Sequence, residues 1–144
     1  MAVDLASPLS RIVTVLTGIA GIQQVYTGVP ESPTNRVSAY VTIGRIRLGD
    51  AAVGGLARHD VEYAVTFVYR VAGAEATAET TLAAVVPAFI TAMLAERRTR
   101  LNGTVVSMGL PDFSLAAEAD YIVVAGQEYR RLPCLIPVVQ QENY

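Results

Sequence analysis

The sequence contains no lysine and no tryptophan, one cysteine, Cys134, and one histidine, His59. Each shortage removes a class of chemistry. A single thiol closes no internal disulfide, so the fold is not expected to depend on an oxidising compartment. A structural zinc site takes about four cysteine or histidine ligands, more than Cys134 and His59 supply. Without lysine the glycine-rich phosphate loop cannot be built, and Gly18, Gly21, Gly54, Gly55 and Gly73 fall in no such pattern. Serines and threonines are common, but there is no Gly-x-Ser-x-Gly elbow and only one histidine to act as a base. His59 and Asp60 are neighbours in the chain, and neighbours on a strand point to opposite faces, so they make no simple dyad. His59 is read as a solvated residue at the start of a strand. The expectation is a protein that is not an enzyme and takes no cofactor and no metal.

An excess of positive charge is also missing. Eleven basic residues, all arginine, stand against 13 acidic ones for a net charge of −2, which argues against a general nucleic-acid or anionic-lipid binder. The apolar run over residues 82–94 is broken by Pro87 and Thr91 before it reaches the ~20 residues of a bilayer crossing. The start, Met1-Ala2-Val3-Asp4, carries no basic leader. No membrane association is expected, and synthesis in the cytoplasm is. What the chain has in quantity is apolar surface: 52% of its 144 residues are hydrophobic and 17% charged, with a mean hydropathy of +0.39. That balance implies one domain, residues 1–144, with part of its surface covered by other subunits.

Periodicity supplies the elements. Ser7 suits a helix N-cap and Pro8 a first helical position, and Leu9, Ile12, Val13, Leu16 and Ile19 then draw one apolar stripe. Residues 27–36 are dense in turn formers and read as an exposed loop. From Val37 the period changes to two, with Val37, Ala39, Val41 and Ile43 on one face, and it slips at Gly44 as a bulge would make it. Residues 48–57 hold little that can anchor them and read as a flexible arm. Val61, Tyr63, Val65, Phe67 and Tyr69 form a second alternating strand, so the two make a long antiparallel hairpin with a flexible tip. A second helix ends at about Arg98, its wide stripe built from Leu82, Val85, Val86, Phe89, Ile90, Met93 and Leu94, with a kink or break expected at Pro87. Strands follow over residues 104–108, 121–125 and 129–139. Pro133 and Pro137 place the last at an edge or interrupt it with bulges, and its polar tail, residues 140–144, suits pairing with a neighbouring subunit. The fold class is α+β, a mostly antiparallel sheet with two helices packed on one face.

The candidate contact residues are chosen by exposure. Arg45 and Arg47 share a strand face, Asp50 and Val53 lie in the arm, and Arg97, Arg98 and Arg100 cluster at a helix end. Tyr129 and Arg130 of the closing strand and Tyr144 of the tail complete the set, the tyrosines reading either as half-buried strand residues or as interface anchors. The arginines read either as a solvated strand face and a helix end that matches the dipole, or as partners in planar bidentate contacts to carboxylates across subunits.

The order of these elements carries a resemblance. An amphipathic first helix, a long hairpin, an arginine-ended second helix running into Leu101-Asn102-Gly103-Thr104-Val105, and closing strands of the form Tyr121-Ile122-Val123-Val124, Tyr129-Arg130-Arg131 and Ile136-Pro137-Val138-Val139 resemble the tail terminator proteins of long-tailed phages. The likeness runs from about Leu9 to Val139. It implies a virion structural protein at the head-proximal end of the tail, forming a homo-hexameric ring that caps the tail tube, stops its polymerisation and joins the tail to a head-tail connector or head completion protein. DNA would only pass through the lumen. The other readings are a hot-dog-type thioesterase-like enzyme, which needs an acid or Asn near its helix, and a related tail-tube or head-tail joining subunit.

Overall fold

The computed structural model describes residues 4–30, 37–49, 51–52, 56–71, 75–114 and 120–143. Asp50, Val53 and Tyr144, most of the 27–36 loop and part of the 48–57 arm lie outside the described residues. The elements run α1 (Ala6–Thr17), β1 (Gln24–Thr27), β2 (Ser38–Arg47), β3 (Ala51–Ala52), β4 (Leu56–Arg70), α2 (Glu75–Gly103), β5 (Ser107–Met108), β6 (Asp120–Val124) and β7 (Gln127–Asn143). They form an α+β architecture of two helices and one curled, mixed sheet of order β1-β2-β4-β7-β5, with β3 on β4 and β6 on β7. All pairings are antiparallel except β1 with β2.

Helix α1 starts where Asp4 accepts the Ser7 N–H at 3.0 Å, while Leu5 holds the cap position without a side-chain bond. The cap expected at Ser7 is therefore supplied by Asp4. Pro8 still fits, because the first turn of a helix has no use for its N–H. Ile12, Leu16 and Ile19 are buried, and Leu9 and Val13 pack at the margin.

Strand β4 is the spine. Val61, Tyr63, Val65 and Phe67 meet Ala39 and Val41 of β2 on one side and Cys134, Ile136 and Val138 of β7 on the other, all buried on the face the helices cover. Helix α2 contributes Ala78, Leu82, Val85, Phe89 and Met93 at spacings of four, three, four and four. This stripe is narrower than the sequence implies: Val86 and Ile90 are half-buried and Leu94 is exposed. A helix resting on a sheet beside one other helix buries only one side. Phe89 packs edge-to-face on Phe67 at 5.1 Å and on Phe113 at 6.5 Å. The opposite face has a smaller cluster of Tyr40, Val68 and Tyr129, flanked by Tyr26, Ile122 and Val124.

Three local features depart from expectation. The non-helical dihedrals of α2 fall at Arg100, Leu101 and Asn102, with φ of 56°, 48° and 58°, and not at Pro87. With Gly103 at φ 78° they make a left-handed turn, which costs roughly 1–2 kcal/mol per non-glycine residue. Full burial of Leu101, worth about 1.5–3 kcal/mol, and the Thr104 hydroxyl donating to the Leu101 carbonyl at 2.7 Å offset part of that cost. Strand β7 is not an edge: it pairs with β4 from Tyr129 to Asn143. Leu135 N–H and the Pro137 and Val139 carbonyls point away from β4, to Asp112, Gly109 and Val106. Pro133 and Pro137 share that parity, so their missing N–H groups fall on the side that β5 and β6 cover only in patches. The tail, expected to pair with another subunit, pairs with β4 of its own chain from Gln140 to Asn143. Gln140 is buried there, its Nε2 donating to the Asp4 carbonyl at 2.8 Å.

Candidate assembly surfaces

The expected slip at Gly44 is present as a register shift between Ile43 and Ile46. A side chain at Gly44 would sit 3.0 Å from the Glu62 carbonyl. The irregularity turns Arg45 so that its guanidinium donates to Glu62 Oε1 at 2.9 Å. Arg47 lies opposite Asp60 in register. Helix α2 delivers Arg97 to the same place, where its Nε donates to the Met108 carbonyl at 3.0 Å. Arg45, Arg47 and Arg97 thus line one open groove of about 470 Å³ with Asp60 and Glu62, over an apolar floor that includes Pro137 and Val139. Arg98 joins through an adjoining hollow shared with Leu94 and Arg97. Arg100 sits in the left-handed turn, exposed and outside both. Arg47 and Arg98 make no ion pair among the described residues.

Two of the expected contact residues are internal instead. Tyr129 closes the small cluster with Tyr40 and Val68. Arg130 is 6% exposed, bonded to Glu79 and to the Arg131 carbonyl, and stacked over Tyr121 at 5.8 Å. Parity explains both: adjacent residues on β7 point to opposite faces, and each face here is covered, by α2 for Arg130 and by β1 and β6 side chains for Tyr129.

His59 is also buried, against expectation, its Nδ1 accepting the Gly49 N–H at 3.0 Å. A side chain at Gly49 would lie 2.0 Å from the Arg58 carbonyl, so the base of the arm fits closely over β4. The carboxylates a hot-dog enzyme would need from its helix are both engaged. Glu79 pairs with Arg130, and Glu96 takes a bidentate fork from Arg11 at 2.6 and 2.9 Å. The Cys134 thiol is pushed up to about 12 by burial, which leaves it a poor nucleophile. No group of three or more metal-ligating side chains occurs among the described residues.

Among the described residues the exposed large apolar side chains are Val29, Leu94 and Leu110 in loops and on α2, and Ile43, Ile46, Leu48 and Val123 at the margins of the sheet. Ile43 and Ile46 lie on the half of β2 that β1 does not reach, and Leu48, 74% exposed, follows them. On the far side Val123 of β6 is 71% exposed, opposite Glu128 in register. The sequence reading missed this second margin, because the run Tyr121-Ile122-Val123-Val124 hides which side chains face out until its pairing with β7 is known. Helix α2 is long and apolar enough to cross a membrane by length and composition, with 28% of that window buried; its packing on the sheet makes it a core helix with one bare side.

No protein-family model matches the chain, and no curated protein does. Among solved structures, a chain of the "Virion of native gene transfer agent (GTA) particle" is similar at 15% identity with a TM-score of 0.37, over 96% of this chain and 87% of that one.

Proposed function

We propose that this protein is a structural subunit of a phage-like virion, of the tail terminator type, that closes into a homo-hexameric ring, caps the tail tube and joins it to the head side. The observation that carries the reading is the pair of unlike open margins on one sheet. The outer half of β2 carries Ile43 and Ile46, with Leu48 just beyond it, and β6, outside β7, carries Val123. Exposed strand margins are templates for further pairing. Two different surfaces on one subunit give a heterologous contact, which closes a ring or grows a filament. The ion-paired state of Glu79 and Glu96 and the buried thiol of Cys134 weigh against the enzyme reading.

The test is electron microscopy of the purified protein. Closed six-fold rings with a central opening are the expected result. Filaments without a length limit would assign the chain to the tube instead, and compact two-fold particles would overturn the ring.

A further inference from the structure

The arginine groove holds more positive charge than it uses. Arg45, Arg47, Arg97 and Arg98 line it and its adjoining hollow, against Asp60 and Glu62, for a local balance of +2. Subtracting these from the 11 basic and 13 acidic residues leaves seven basic and eleven acidic, or −4, on the rest of the chain. The rest of the same chain therefore carries charge of the complementary sign. One part of that surface matches it in chemistry as well as charge. At the β6–β7 hairpin Val123 and Glu128 are cross-strand partners, both exposed. The Glu128 carboxylate makes no ion pair among the described residues, while its backbone carbonyl is held by the Val71 N–H at 3.0 Å. The hairpin thus presents one apolar and one anionic side chain on a backbone anchored to the sheet. The groove offers the reverse, an apolar floor at Val139 with Arg47 at its rim.

Hairpin and groove lie at opposite ends of β7. Glu128 and Val139 are eleven residues apart on β7, roughly 36 Å at ~3.3 Å per residue. A hairpin cannot reach the groove of its own chain across that span, so the contact is made between copies.

We infer that the β6–β7 hairpin of one subunit seats in the arginine groove of the next, with Val123 on the apolar floor and Glu128 against Arg47 and Arg97. This rests on the ring reading and names its contact. Opposite charges at the rim steer the approach and select the orientation, and the buried valine holds it. Because hairpin and groove differ, the contact is heterologous and each subunit keeps one of each for its two neighbours.

The test uses charge reversal and cross-linking on the full chain. Arg47→Glu and Glu128→Arg are each expected to raise the concentration for half-assembly about tenfold or more, and the double variant to recover most of that loss. Both positions are exposed, so circular dichroism matching the wild type separates lost assembly from lost fold. In parallel, Arg47→Cys protein mixed with Glu128→Cys protein should form a disulfide-linked pair under mild oxidation, with no such pair from either alone. Wild-type assembly that neither reversal changes, with no cross-link in the mixture, overturns this contact and leaves the ring standing. A wild-type protein that stays monomeric at every concentration and gives no cross-link overturns both.

Discussion

Phe89 tests whether the stripe of α2 is the core it forms in the structure. Its ring is fully buried between Phe67 at 5.1 Å and Phe113 at 6.5 Å, near-perpendicular to both. Phe89→Ala removes the transfer free energy of the ring and leaves a cavity walled by a sheet that cannot collapse into it, for about 3–5 kcal/mol. The edge-to-face contacts account for about 0.5–1.5 kcal/mol each within that sum. Phe89→Leu keeps most of the apolar volume and gives up the ring geometry, so it should cost about 1–2 kcal/mol. Leu94→Ala, one turn further on the exposed side, should cost under about 1 kcal/mol. Urea denaturation at one fixed protein concentration reads all three without a shift from assembly. The alanine variant should also melt roughly 10–15 °C below the wild type. A loss below about 1 kcal/mol for Phe89→Ala, or equal losses at Phe89 and Leu94, would refute the placement of the stripe.

The remaining predictions bear on other parts of the fold. Burial pushes the Tyr63 hydroxyl up to about 12, and the Cys134 thiol likewise to about 12. Both groups hold their protons in the folded chain after the unfolded chain has lost them. Stability is therefore full below about pH 9 and falls as pH rises toward 12; a flat stability profile between pH 8 and 11 would contradict this. Asn102→Gly should stabilise by about 0.5–1 kcal/mol by relieving a left-handed residue, while Leu101→Gly, which also loses a buried side chain, should destabilise; thermal melts of the two should move in opposite directions. Gly49→Ala should loosen the base of the arm, seen as faster amide exchange at residues 47–49 and 57–59, because its methyl has no room beside the Arg58 carbonyl.

What was legible in the sequence was whatever a local period could carry. The stripe from Ile12 to Leu16, the alternation of Val61 to Phe67 and the slip at Gly44 all appear as read, since each is set by residues within a few positions of one another. The parallel strand β1 was missed because its four residues, Gln-Val-Tyr-Thr, have no run long enough to show a period. Strand β7 was misplaced because a proline excludes pairing on only one side of a strand, and which side depends on the register with β4. The left-handed turn at Arg100 depends on the burial of Leu101, a tertiary term with no local signature. At the candidate surface, Arg45 and Arg47 could be seen to share a strand, but nothing in the chain announces that Arg97 joins them. Tyr129 and Arg130 look equally available in sequence; the sheet turns one toward Tyr40 and the other toward Glu79.

The central claim is that this chain closes into a ring through two unlike surfaces. Native mass spectrometry across a range of concentrations tests it most directly. Ring closure gives a hexamer that gains no further subunits as concentration rises, with few species between it and the monomer. A stable dimer that persists over the same range would contradict it, because a two-fold contact joins like surfaces and leaves no second face for a ring.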